Sequence, residues 1–391
     1  MRWTLAILGA TAVFSASSTV HVFTGVPAVA IDGPLVVAAS VFLWKRSREE
    51  KAPAAGRTIF FAACAVAAAA LIDHIARYPD GGNDAFIIWN LRARWLFRAG
   101  AGFRSAFSPE ILFWTHQDYP LLLPGLVAGG FELLGRESRA VPAVIAVLFT
   151  ACSVAIVVAG APVEKRWWAG LAMVTTPALV MLGATEQADL PLAAFTAAAI
   201  AILIVKEPGD LRAIAAAGAF ASMAAWTKNE GLLNGLLIAS AVLLTERRLS
   251  SLVAFGAGAL PFLSLLAVFK LGYVPPNDLA HSLSLARAIS VDRWWTLLLL
   301  IGRRIVLLQA WGLHLLALVV WAVFARKWSA APPQLRWLSW FPLATMVVHL
   351  GILLMQPHDL TFMFKVTIDR LLIQLWPSIV LLISHREVRR I

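Results

Sequence analysis

Ala140 to Gly160 reads AVPAVIAVLFTACSVAIVVAG, a run without a single charged side chain. About 20 apolar residues wound as a helix cross a hydrocarbon layer of roughly 30 Å, and a helix satisfies its own backbone hydrogen bonds on the way. Comparable runs are Trp3 to Phe23, Gly33 to Trp44, Thr58 to Ala76, Trp167 to Gly183, Leu190 to Val205, Leu211 to Thr227, Leu232 to Thr245, Leu249 to Phe269, Gly312 to Ala325, Leu335 to Met355 and Leu371 to Ser384. Their apolar residues are continuous rather than alternating, which argues for helices and against a barrel. The 391 residues are 60% hydrophobic and only 14% charged, with a mean hydropathy of +0.77, well beyond a soluble globule. The expected class is an all-α polytopic membrane protein with about twelve transmembrane helices, residues 1–391 forming one membrane domain.

Short basic loops orient such a chain, because Lys and Arg near helix ends stay on the cytoplasmic side. The clusters are KRSREEK from Lys45, EKR from Glu164, ERR from Glu246, ARK from Ala325 and the terminal HREVRR from His385. All face the cytoplasm together only if Tyr119 to Leu134, YPLLLPGLVAGGFELL, does not cross. Its prolines, glycines and glutamate suit a segment lying in or dipping into the outer interface. Trp294 to Ala310, with Arg303 and Arg304 at its middle, reads as an outer amphipathic helix. The expected parts are therefore two extra N-terminal spans in 1–57, a first outer loop with interfacial helices in 77–138, and an outer loop with an amphipathic helix in 270–310. The net charge of +11 follows from the cytoplasmic arginines, so membrane lipid is the expected partner and nucleic acid is not. Cys64 and Cys152 each lie within an apolar run and read as packing residues.

The charges that the orientation rule leaves unexplained fall on the outer side. DGGNDAFIIWNLRARWLFRAG, Asp80 to Gly100, offers Asp84 at the start of an interfacial helix, either as an N-cap or as a general base. Arg92, Arg94 and Arg98 follow; Arg94 and Arg98 share a helix face and suit either snorkelling to headgroups or a clamp on a lipid-borne phosphate. Trp89 and Trp95 read as interface anchors. HQDYPLLLP brings His116 and Asp118, too few for a metal site on their own. Glu186 and Asp189 share the turn GATEQADLPLAAF, Lys228 and Glu230 share WTKNEG, and Arg370 opens the last span. Carboxylates and cations gathered at the ends of several spans suit a site that handles a charged lipid.

This order of motifs resembles the GT-C glycosyltransferases, in particular the bacterial family 39 type that includes aminoarabinose and galacturonic acid transferases of lipid A and relatives of protein mannosyltransferases. The matching stretches are NDAFIIWNLRARWLF, HQDYPLLLP, ADLPLAAF, TKNEG and DRLLIQLWP. The resemblance implies an inverting transferase in a bacterial cytoplasmic membrane, its active site facing the periplasm or exterior. It would move a hexosyl or pentosyl group from a polyprenyl phosphate donor to a hydroxyl of a lipid, glycan or protein. Asp84 would be the base, with Arg92, Arg94, Arg98, Lys228 and Arg370 as phosphate ligands. Asp189, with Glu186 behind it, would hold the acceptor or a sugar hydroxyl, and His116 and Asp118 would line the substrate site. No cofactor and no catalytic metal are implied. The competing expectation is a multi-spanning transporter or lipid flippase, which would need ionisable residues at mid-membrane depth or paired broken helices.

Overall fold

The computed structural model describes residues 1–24, 54–111, 115–275, 282–307, 309–311, 313–316 and 332–385, without the side chains of residues 100, 101 and 309. The expected span Gly33 to Trp44, most of Gly312 to Ala325, and the clusters from Lys45 and Ala325 lie outside them, as does the C-terminal cluster beyond His385. Every regular element among the described residues is helical. Among the described residues, six helices are long and apolar enough to cross a membrane: α1 (Arg2–Thr24), α2 (Arg57–Arg77), α5 (Ala140–Gly160), α11 (Leu249–Gly272), the nearly continuous pair α14 (Pro333–Leu338) and α15 (Trp340–Met355), and α16 (Leu360–Ser384). By length and composition these helices are consistent with a membrane protein.

Between them lie α3 (Leu91–Ala99), α4 (Leu122–Leu134), α6 (Arg166–Val174), α7 (Pro177–Gly183), α8 (Asp189–Val205), α9 (Leu211–Thr227), α10 (Glu230–Glu246), the single turn α12 (Leu285–Ala288) and α13 (Val291–Leu307). Helices α8, α9 and α10 have 17 residues each, about 25 Å. The run Trp167 to Gly183 is broken into α6 and α7 because Pro177 cannot donate a backbone hydrogen bond and sits where it is tolerated, at the first turn of a new helix.

The mast of the bundle is α8. It is apolar all round, and every residue from Asp189 to Leu203 is buried, the pattern of a helix enclosed by others. Helices α5, α9 and α16 pack against it. The short links make α8, α9, α10 and α11 run up and down, so Asp189, Lys228, Glu230 and Lys270 all fall at one end of the bundle. Lys206, Glu246, Arg247 and Arg248 fall at the other. Polar residues far apart in sequence thus meet at one end without any local signal.

Two segments refine the sequence reading. Within the segment Tyr119 to Leu134, Leu122–Leu134 form the 13-residue helix α4, which is packed against α1 and mostly buried in the bundle. At about 20 Å it is too short to span a bilayer. Helix α16 begins eleven residues before the apolar run, at Leu360, where the Asp359 carboxylate caps it by accepting from the Phe362 N–H at 2.7 Å. Arg370 therefore lies about 15 Å along this helix rather than at its start.

The amphipathic reading of α13 fits its surroundings. Leu297 is buried against Leu353, Phe364 and Ile368, while Trp294, Trp295, Leu298, Leu299 and Val306 are exposed. Arg304 and the Trp311 indole both donate to Asp369, fastening this region to α16.

Candidate functional site

The loop carrying Asp84 is built to press against the loop before α8. Gly81 has φ of +71°, and a Cβ there would stand 2.8 Å from the Thr185 carbonyl oxygen. The Gly82 N–H donates to that carbonyl at 3.0 Å. The sequence DGGND thus seats Asp84 beside the turn that delivers Asp189.

Asp84 occupies the N-cap position of the π-helical turn Ala85–Asn90 but does not cap it with its side chain. Its Oδ2 instead accepts from Arg370 Nη1 at 2.5 Å. Arg370 Nε donates to Asp189 Oδ2 at 2.8 Å. The other oxygen of Asp189 accepts from Lys228 Nζ at 3.0 Å and from Gln374 Nε2 at 2.6 Å. Lys228 also meets Glu230 Oε1 at 2.7 Å. Three carboxylates and two cations therefore alternate in one chain, Asp84, Arg370, Asp189, Lys228, Glu230. Asp189 is 2% exposed and Lys228 4%, so these are buried charges that persist only because each is paired. Burial by itself would lower the pKa of Lys228, but the adjoining Asp189 and Glu230 carboxylates outweigh it and hold the ammonium above its ordinary value. At the Arg370 end the Asp84 carboxylate keeps 28% of its exposure, making it the most accessible acid of the chain.

A second group adjoins the first through Asn229. The amide of Asn229 donates to Asp118 Oδ2 at 2.7 Å and accepts from Lys270 Nζ at 2.8 Å, and Lys270 also donates to the Asp118 carbonyl. Lys228 Nζ lies 5.8 Å from the centroid of the Tyr119 ring. Tyr119 stacks on Trp89, centroids 5.3 Å apart, and on His116, at 4.9 Å. Trp89 is fully buried, so its role is in this stack rather than as a membrane anchor; Trp95 is half-buried and donates to Ser105.

The expected site residues thus divide. Asp84, Asp189, Lys228 and Arg370 come together, and Asp118 joins them through Asn229. Arg92 is buried and donates to the carbonyls of Thr115, His116 and Tyr119, at 2.8 to 3.1 Å; burial lowers its pKa to about 10 despite the pull of Asp118. Arg94 and Arg98 both reach Glu137, and Arg94 also lies 3.8 Å from Asp80, forming an ionic group on the N-terminal side of α5. Glu186 is set back from the ion-pair chain. It adopts φ of +55°, accepts from Asn90 Nδ2 at 2.6 Å, and is pushed up to about 7 by burial, against the lowering effect of that bond.

Gln374, Asn229 and Lys270 were missed in the sequence. Gln374 had one signal: it is polar in the apolar run DRLLIQLWP and stands four residues after Arg370, on the same helix face. Lys270 was a basic residue at the acidic end of an apolar span. Among the described residues no group of three His, Cys, Asp or Glu side chains has the arrangement to hold a metal ion. Comparison of the chain with protein-family models, with curated proteins and with solved structures finds no match.

Proposed function

We propose that the chain is an inverting glycosyltransferase that takes a sugar from a polyprenyl phosphate and places it on an acceptor hydroxyl, working at the outer face of a bacterial cytoplasmic membrane. The observation that carries this reading is the ion-pair chain from Asp84 to Glu230. It joins residues from the first outer loop, α8, the α9–α10 turn and α16, and its most accessible acid is Asp84.

A sugar on a phosphate already has a good leaving group, so the reaction needs a base for the incoming hydroxyl and cations for the charge that develops on the departing phosphate. Arg370 and Lys228 are the cations. A donor phosphate takes the place of the Asp84 carboxylate on Arg370, and Asp84, released from its partner, accepts the proton of the acceptor hydroxyl as its oxygen attacks the anomeric carbon. The carbon–phosphate oxygen bond breaks and the polyprenyl phosphate leaves. Asp189 keeps Arg370 and Lys228 a fixed distance apart, with Gln374 steadying it. Arg94, Arg98 and Glu186 lie outside this chain, as supporting parts of the outer layer; Asp118 and His116 line the side on which substrate rests. About twelve crossings with both ends inside would put the basic loops in the cytoplasm and the site outside. A transporter would carry its charges along a path through the membrane, whereas these gather at one end of the bundle.

The test is mass spectrometry of lipids and glycans after incubating purified protein with a native membrane extract, run beside Asp84→Asn. Consumption of a polyprenyl phosphate sugar by the wild type alone supports the transferase and names the sugar by its mass. If both proteins leave every lipid-linked sugar untouched in an extract shown to contain them, the transferase reading fails.

A further inference from the structure

His116 combines features that loop packing does not require of it. Its φ is +46°, a left-handed conformation uncommon outside glycine but one in which histidine is enriched relative to most side chains. The carbonyls on either side of this kink are gathered by one buried guanidinium, Arg92. One face of the imidazole lies on Tyr119, at 18° to it, and Tyr119 lies in turn on the fully buried Trp89. His116 is nevertheless an exposed residue, so the stack does not enclose it. A strained backbone, a buried arginine and a two-ring foundation fix the imidazole next to Asp84, Asp118 and Lys228, whose charges all act on it. Packing against Tyr119 also strips water from the imidazole and holds its pKa below the ordinary value, which favours the neutral ring.

We propose that the open face of His116 is a saccharide platform, on which the C–H face of a sugar ring rests so that its anomeric carbon is held between the Arg370 and Lys228 cations and Asp84. The weakly positive C–H bonds of a sugar face meet the negative face of an aromatic ring. This inference rests on the transferase reading and goes beyond it, giving His116 a ring-stacking role rather than an acid–base one.

The test uses full-length protein in bilayers. His116→Asn keeps a residue comfortable in the left-handed conformation and removes the ring; His116→Phe keeps a flat ring and removes the titratable nitrogens. At roughly the strength of an aromatic pair, loss of the platform in His116→Asn raises KM for lipid-linked sugar about tenfold, with kcat changed less, and His116→Phe stays within about threefold of wild type. If His116→Phe is as impaired as His116→Asn while both unfold at the wild-type temperature, imidazole chemistry is what matters and the platform is refuted. A second readout needs no turnover: carbethoxylation of His116 by diethylpyrocarbonate, followed by peptide mass spectrometry. The polyprenyl phosphate sugar fraction of the native extract protects His116; the same fraction after mild acid has removed its sugars does not. Protection by sugar-bearing lipid without turnover leaves the platform standing and refutes the transferase reading. Equal protection by both fractions refutes the platform, since lipid phosphate alone then covers the ring. Protection by the delipidated glycans of the extract instead assigns the platform to the acceptor's sugar ring and overturns the donor placement.

Discussion

Asp84 and Asp189 both hold Arg370, yet neutralising them has opposite consequences for stability and activity. Asp189 is 2% exposed and accepts from Arg370, Lys228 and Gln374. Asp189→Asn preserves the shape but leaves two buried cations short of a counter-charge and turns one acceptor into a donor facing them. Breaking a buried pair from one side costs about 3–5 kcal/mol. At about 2 °C per kcal/mol, the low end for large domains, the unfolding midpoint falls by roughly 6–10 °C. Asp84 pairs with Arg370 at 28% exposure, and its loss leaves Arg370 still paired with Asp189. Its replacement costs about 1–2 kcal/mol, or roughly 2–4 °C. The assay is the fraction of monodisperse protein surviving a heating series, read by gel filtration, beside turnover of lipid-linked sugar. Asp84→Asn loses turnover while nearly keeping its midpoint; Asp189→Asn loses the midpoint. A drop for Asp84→Asn equal to or larger than that for Asp189→Asn would show that the pairing geometry misassigns the buried anchor.

Other outcomes follow from the same geometry. Glu186 binds its proton more readily folded, at about 7, than at its ordinary 4.5, so the folded state is favoured below pH 4.5 and loses up to about 3 kcal/mol as pH rises through 7; Glu186→Gln flattens the stability profile over that window and is the more stable protein at pH 8. A Cβ at Gly218 would stand 2.0 Å from the Phe255 carbonyl oxygen, and one at Gly258 1.8 Å from that of Ala215, so Gly218→Ala or Gly258→Ala pushes α9 and α11 apart and lowers the midpoint, while Gly256→Ala, with open space, does not. Arg92→Lys replaces a planar fork by one ammonium that cannot span three carbonyls, so amide hydrogen exchange at residues 115–119 accelerates with little change elsewhere. Turnover is unchanged by a chelator such as EDTA; loss of activity restored by a divalent ion would overturn the metal-independent mechanism.

The spans were legible wherever an apolar run had no competing signal, as at Ala140–Gly160 and Leu249–Gly272, because burial of apolar surface and backbone satisfaction act on local windows. They were misread where a local feature cut across hydropathy: Pro177 split one run, and the Asp359 cap extended α16 through the polar stretch ahead of another. For the site, the residue types and the end of the bundle could be read from the sequence, but the partners could not. Asp84 and Arg370 are 286 positions apart, and nothing in either neighbourhood names the other. The same limit made Trp89 look like an interface anchor. An indole that closes an apolar run reads alike whether lipid or Tyr119 covers it, and only the fold decides.

Asp369, which Arg304 of α13 and Trp311 both grip, immediately precedes Arg370 in α16. If the exposed tryptophans of this amphipathic helix rest in lipid, the helix is a lever whose fulcrum is one peptide bond from the charge network. How deep that lever rides is set by bilayer thickness and headgroup packing, and a detergent micelle reproduces neither. Solubilised protein can therefore be fully folded and yet hold Arg370 at the wrong angle. Activity of this chain is a property to be measured against lipid composition, and an inactive micellar sample reports on the solvent before it reports on the chemistry.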